Sequence, residues 1–168
     1  ENIGDKIFIS TNLENIIYDG NNTSFMGKGF PNSKIIDVFS NEKNNWFVSD
    51  QSLIKLEGNK YVSEKITFPS SNAKIQALII DGDIEYFGTN QGLWSRQNNR
   101  NAKLIKNINV LCLDRTSDGL IIVGAKKGFY YLRNGALKKI TPDGQDYLSL
   151  SKTAVRDIEV NSENEIWY

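Results

Sequence analysis

Apolar residues along this chain gather in short β-rich runs parted by polar turns, and the runs recur. A large apolar residue opens a short phrase five times: Phe8-Ile9-Ser10-Thr11, Trp46-Phe47-Val48-Ser49, Tyr86-Phe87-Gly88-Thr89, Ile122-Val123-Gly124-Ala125 and Trp167-Tyr168. Successive copies lie about 36 to 45 residues apart, a period of structural repeats rather than of a single motif. An apolar run precedes most copies: Ile35-Ile36-Asp37-Val38-Phe39, Ile75-Gln76-Ala77-Leu78-Ile79, Val110-Leu111-Cys112-Leu113 and Val155-Arg156-Asp157-Ile158. Polar turns join each run to its phrase, at Ser40 to Asn45, Asp81-Gly82-Asp83, Thr116 to Gly119 and Asn161 to Asn164. Gly, Asn and Asp tolerate positive φ and close hairpins of this length.

A second polar turn follows each complete phrase, at Thr11-Asn12, Ser49-Asp50-Gln51, Thr89-Asn90-Gln91 and Ala125-Lys126-Lys127. Third strands then open at Ser52-Leu53-Ile54, Gly92-Leu93-Trp94 and Gly128-Phe129-Tyr130, and fourth strands are read in Lys60 to Phe68, Ala102 to Lys106 and Ala136 to Ile140. The first copy has no legible innermost strand. No segment has helical periodicity. Turns every 8 to 12 residues or so predict an all-β chain, and the period is that of a four-stranded blade. The expected fold is a β-propeller fragment of about four four-stranded blades. Its units run approximately 1–33, 34–73, 74–108 and 109–153, with 154–168 cut short.

Composition removes several functions. Twenty basic residues balance twenty acidic ones among 168, which gives no electrostatic footprint for nucleic acid. There is no histidine, so imidazole-dependent metal sites and catalytic dyads are excluded, and no cofactor is expected. Cys112 is the one cysteine and cannot form an internal disulfide. It shares a slot of the innermost strand with Asp37, Ala77 and Asp157, where small residues fit a crowded axis. Asp37 and Asp157 are expected to bond neighbouring backbone; a catalytic carboxylate pair is the sharper alternative.

An apolar first strand, an Asp-Gly-like turn, a phrase of the Trp-Ile-Gly-Thr kind and then Gly-Leu-Tyr together resemble the two-component regulator propeller repeat. The best copies are Ile75 to Ser95 and Val110 to Leu132, and the copy from Val155 to Tyr168 fits until it stops. The Trp46 copy departs, with Ser49 and Asp50 at the Thr and Asn or Gly places. The resemblance implies the periplasmic, extracytoplasmic sensor region of a bacterial hybrid two-component histidine kinase. Such regions are built from seven-bladed propellers, often in tandem, and commonly respond to polysaccharide breakdown products. The partners it implies are an oligosaccharide or other small ligand, the remaining blades and a downstream sensor domain, with the membrane reached only through the rest of the chain.

In a propeller, loops between second and third strands share one face with loops between successive blades. Here that face would carry Asp50, Gln51, Asn90, Gln91, Lys126 and Lys127, with Ser70-Ser71-Asn72 and Thr141-Pro142-Asp143-Gly144. Amides, carboxylates and ammonium groups offer the donors and acceptors that sugar hydroxyls need. Trp94 and Tyr130 start the adjoining strands, where an aromatic face could stack on a sugar ring; the plainer alternative packs them between blades. Lys126 and Lys127 could meet an acidic saccharide or simply be solvated. Asp81-Gly82-Asp83 reads as a hairpin turn, not a cation loop.

Boundaries inside repeats lead to a further expectation. An open arc exposes an apolar flank, and roughly 400 Å² left wet forgoes about 10 kcal/mol at about 25 cal/mol/Å². The segment is therefore expected to belong to a longer chain or to self-associate. Two other functions stay open beside the sensor: a protein-interaction scaffold and, third, a propeller lyase or glycosidase.

Overall fold

The structure is a computed structural model that describes residues 2–3, 6–11, 14–26, 30–31, 33–40, 45–57, 60–140 and 152–168. The Thr141 to Gly144 loop, Asn12 and most of the turn between Ser40 and Asn45 lie outside the described residues. The chain divides into two compact units, Glu1–Ile66 and Thr67–Tyr168. Every described element is a strand, and every pair is antiparallel.

The first unit holds two sheets in simple up-and-down order. One comprises β1 (Asn2–Ile3), β2 (Lys6–Ser10), β3 (Asn15–Tyr18) and β4 (Thr23–Phe25). The other comprises β5 (Ile35–Ser40), β6 (Asn45–Ser49), β7 (Ser52–Glu57) and β8 (Lys60–Lys65). Their common core joins Phe8 to Ile35, Phe47 and Ile54, with the Phe8 and Phe47 rings 5.1 Å apart at 60°. The short β1 corrects the sequence reading of the first repeat: two residues carry too little pattern to be seen, yet Asn2 and Ile3 pair with Ile7 and Lys6.

The second unit repeats the plan. β9 (Ile75–Asp81), β10 (Ile84–Thr89), β11 (Gly92–Gln97) and β12 (Lys103–Lys106) form one sheet. β13 (Val110–Arg115), β14 (Ile121–Ala125), β15 (Gly128–Arg133) and β16 (Ala136–Lys139) form the next, and β17 (Glu159–Val160) pairs with β18 (Ile166–Trp167). A dry core of Ile79, Tyr86, Leu93, Val110, Ile121, Val123 and Leu132 fills the space between the two complete sheets. Inner strands are covered on both walls, so β14 is buried at every position. The outer strands β12 and β16 stay largely exposed and carry Lys103, Lys106, Lys138 and Lys139, charges that discourage edge pairing.

Two letters of the recurring phrase acquire physical reasons. The glycine lets neighbouring chain come close: a Cβ on Gly88 would lie 2.5 Å from Val110 Cγ1, and one on Gly124 would lie 2.3 Å from Cys112 Sγ and 3.0 Å from Val155 O. The hydroxyl that follows closes the turn. Thr89 Oγ1 accepts from the Gln91 amide at 3.1 Å and donates to Gly92 O at 2.9 Å. Ser49 and Thr11 do the same work, accepting from Ser52 N at 3.0 Å and Glu14 N at 2.9 Å.

Two strand readings are corrected. Lys60 to Phe68 is not one strand: β8 ends at Lys65, and Phe68 turns its ring onto Phe87 and Trp94 at 5.7 and 5.4 Å. Val155 to Ile158 is not a strand either. The ladder pairs Glu159 with Trp167 and Val160 with Ile166 and takes in no residue from Val155 to Ile158. The segment is instead tied to the preceding sheet, Val155 N donating to Ala125 O (3.1 Å) and Gly128 N to Thr153 O (3.0 Å). Asp37 and Asp157 bond the amides of Val38 (2.8 Å) and Ile158 (3.0 Å).

Candidate functional site

In the second unit, the turn after β10, the linker between β12 and β13 and the turn after β14 meet around a hollow of about 380 Å³. Asn90, Asn107, Ile108, Asn109, Ala125, Lys126, Lys127 and Tyr130 line it. The backbone fixes its walls. Lys126 N donates to Asn109 O at 2.8 Å, and Ile108 N donates to Lys106 O at 3.1 Å. Tyr130 donates its hydroxyl to Lys127 O at 3.2 Å, and the Lys139 ammonium sits 5.7 Å from the centre of its ring. One residue of the lining is unusual: Asn109 Oδ1 is buried and accepts no hydrogen bond among the described residues. A buried acceptor without a donor costs stability.

The structure brings Asn90, Lys126 and Lys127 together here, but it uses the expected residues unequally. Asn90 is a clasp: its Oδ1 accepts from Lys74 N (2.7 Å) and its Nδ2 donates to Asn72 O (3.2 Å). Gln91 braces the same linker by accepting from the Ser70 hydroxyl. Trp94 is corrected as a stacking platform: it is 4% exposed, packs on Phe68 and donates Nε1–H to Thr89 Oγ1 at 3.2 Å. The indole is thus core, with no face open to a sugar. Tyr130, half-buried, is the aromatic that does border the hollow. Asp50 and Gln51 belong to the first unit; both are exposed, and Gln51 O accepts from Ile66 N at 2.8 Å. Sequence reading missed Asn107 and Asn109. Their signal was available, because the linker between successive sheets shares the face of the turns after β10 and β14.

A larger hollow of about 640 Å³ lies at the opposite strand ends, bordered by the β9–β10, β13–β14 and β15–β16 turns. Its charges are already spent on one another. Arg115 pairs with Asp81 at 2.7 Å, and Arg133 with Asp118 at 3.2 Å. The Asp118 carboxyl is held below its ordinary range, chiefly by the Thr116 hydroxyl and then by Arg133. In the smaller hollow, Lys126 and Lys127 make no ion pair among the described residues. Among the described residues no cluster of three or more His, Cys, Asp or Glu could hold a metal. The Cys112 thiol is pushed up to about 12 by burial, then by Asp157, which keeps it protonated and unreactive.

No family model matches the chain, and no curated protein matches its sequence. Solved structures do share its fold. One, described as the extracellular domain of a hybrid two-component system, BT4673 of B. thetaiotaomicron, superposes with a TM-score of 0.77 at 19% identity over 98% of this chain. Another, described likewise for BT3049 of B. thetaiotaomicron, gives 0.72 at 15% identity over 98%. The chain spans about a quarter of either structure, 24% in each case. The chain is an all-β propeller fragment, built from successive four-stranded antiparallel sheets.

Proposed function

We propose that this chain is a ligand-sensing segment from the extracytoplasmic, periplasmic part of a hybrid two-component receptor, and that its ligand is a polysaccharide-derived oligosaccharide. The observation that carries the reading is the hollow at Asn107–Asn109 and Lys126-Lys127. Amides, a phenol and ammonium groups line it, and Asn109 Oδ1 accepts no hydrogen bond among the described residues. A sugar hydroxyl supplies such a donor. Likeness to extracellular domains of two-component systems supports the setting. The 168 residues hold no histidine to accept a phosphoryl group, so on this reading phosphotransfer falls to a kinase outside them. A ligand changes its output only by binding two receptor arrangements with different affinity. Titration calorimetry against a panel of neutral and acidic oligosaccharides tests the reading. Saturable binding without turnover supports it; product formation would replace it with the lyase or glycosidase reading.

The open flank of the first sheet adds a partner to this proposal. Ile9, Ile16 and Phe25 face one another across three strands, and Ile7, Ile9 and Phe25 are 44%, 39% and 70% exposed. The equivalent phrase positions Phe47 and Val123 are buried against a preceding sheet. Another sheet of the same repeat, in a longer chain or a second copy, covers this flank. Sedimentation of the chain alone tests it: self-association that Ile9→Lys abolishes supports the proposal, and a stable 19 kDa monomer counts against it.

A further inference from the structure

We infer that the larger hollow of the second unit binds a neutral aromatic molecule that carries one hydroxyl, a ligand of the phenol class. This site is separate from the smaller hollow and goes beyond the saccharide reading. A comparison of the two units carries the inference. In the first unit, rings fill the space between its two sheets. Phe8, Phe30, Phe47 and Tyr61 interlock, with the Phe30 ring 5.1 Å from Phe47 and 4.9 Å from Tyr61. Ile17, the ladder partner of Phe8, packs against the same cluster. The matching places in the second unit hold smaller side chains. Tyr86 opens its phrase as Phe8 does, and its ladder partner is Ser95, where the other four-stranded sheets have Ile17, Lys55 and Tyr131. Ile105 stands five residues before Val110, as Phe30 stands five before Ile35; Val110 and Ile35 each pair with the last letter of a phrase. Leu137, opposite Leu132, takes the place of Tyr61, opposite Leu56. Val123 takes that of Phe47, but there its partner Tyr130 brings back a ring where Phe47 has Ile54. Ser95 and Ile105 both line the hollow of about 640 Å³, a size suited to a small ligand.

The lining sets the class of ligand. Ile84 and Ile121 stand two residues ahead of Tyr86 and Val123, where Lys6 and Asn45 hold the matching places before Phe8 and Phe47. With Ile105 and Leu132 they make the wall apolar, which suits a ring. Tyr86 and Ser95, directly paired on one face of the sheet, add two hydroxyls that have no hydrogen-bond partner among the described residues. Burial, then the Asp81 carboxylate, push the Tyr86 phenol up, so it stays protonated and able to donate. Arg133 and Asp118 are paired with each other, as are Arg115 and Asp81, so the borders call for no charge on the ligand. A hydroxyl on a ring both donates and accepts, which lets one group serve Tyr86 and Ser95 together.

Methyl NMR of the intact chain with p-cresol, toluene and p-toluate as probes tests this. p-Cresol should move the methyl signals of Ile84, Ile105 and Leu132 saturably, with a dissociation constant of about a millimolar or below. Toluene lacks the hydroxyl and should bind about fivefold more weakly, the worth of one neutral hydrogen bond. p-Toluate should bind more weakly than p-cresol, because its carboxylate would enter the apolar wall without a cation of its own. Ser95→Ala should weaken p-cresol by about fivefold and leave toluene unchanged. Ile105→Phe supplies a ring from within and should abolish binding of every probe; Ser95→Ala adds no bulk and keeps the test open where Ile105→Phe does not fold. Absence of saturable shifts at these methyls, equal affinity for toluene and p-cresol, or p-cresol shifts that persist in a folded Ile105→Phe overturns the inference. All of these outcomes leave the saccharide reading at the smaller hollow untouched.

Discussion

One added methyl group at Gly124 tests the packing logic of the repeat. In an ordinary strand, Gly→Ala gains about 0.5–1 kcal/mol because glycine loses more backbone freedom on folding. At Gly124 the new Cβ would meet Cys112 Sγ at 2.3 Å and both Val155 Cγ1 and Val155 O at 3.0 Å. Overpacking a filled core costs about 1–3 kcal/mol, and the backbone oxygen, unlike a side chain, cannot rotate away. The net expectation for Gly124→Ala is a loss of about 2 kcal/mol. Much of this arises at the sulfur, because Cys112 and Gly124 are ladder partners. Removing the sulfur with Cys112→Ala should make the added methyl cheaper by about 1 kcal/mol. Urea unfolding of the wild type, both single variants and the double variant closes the cycle. At constant m-value, the Gly124→Ala midpoint should fall most in the presence of Cys112. A variant as stable as the wild type, or a cost identical in both backgrounds, would refute the claim that close approach dictates this glycine.

Three more expectations follow from individual contacts. Glu85→Ala removes the bidentate carboxylate that holds Arg96, which is 6% exposed and 5.5 Å from the Phe87 ring centre; breaking such a buried pair should cost about 3 kcal/mol in urea unfolding, and Glu85→Gln less. Cys112 titrates near 9.0 when unfolded but at about 12 when folded, so its contribution to stability is complete below pH 9 and is lost as pH rises toward 12; native protein should resist iodoacetamide at pH 8, and rapid labelling would contradict its burial. Asp118 has the opposite sign: its folded carboxyl titrates below the ordinary 3.8, so its stabilisation is present above that value and disappears as pH falls through the lowered one. NMR titration should find the Asp118 carboxyl moved upward in Thr116→Val, whose side chain has no hydroxyl to donate.

Much of the fold could be read from the chain because the phrases encode one or both of two constraints at adjacent letters, and Gly88-Thr89 encodes both. Gly88 and Gly124 admit neighbouring chain, while Thr89, Ser49 and Thr11 close the turn with a hydroxyl. Those demands recur wherever the sheet recurs, so they leave a period. The elements that escaped are those whose residues answer to no such demand. β1 has two residues, and β4 has three that are all exposed. At Val155 to Ile158 the apolar pattern reported burial, and Val155 and Ile158 are buried, while the ladder takes in only Glu159 and Val160. The site was legible only in part. Turn positions pointed to Asn90, Lys126 and Lys127, yet nothing local distinguishes a clasping amide such as Asn90 from a free one. Trp94 could have faced either way until Thr89 and Phe68 were seen to hold it. Asn109 differs from any linker asparagine only through the burial of one oxygen, a property of three dimensions.

The turn bearing Lys126 and Lys127 is the one whose phrase ends in Ala125, without the hydroxyl that locks its counterparts. Its conformation is borrowed: Asn109 holds it from behind, and Thr153 and Val155 from ahead. The placing of that rim is therefore inherited from adjoining segments, so a change in either neighbour moves the turn while the lysines themselves stay untouched.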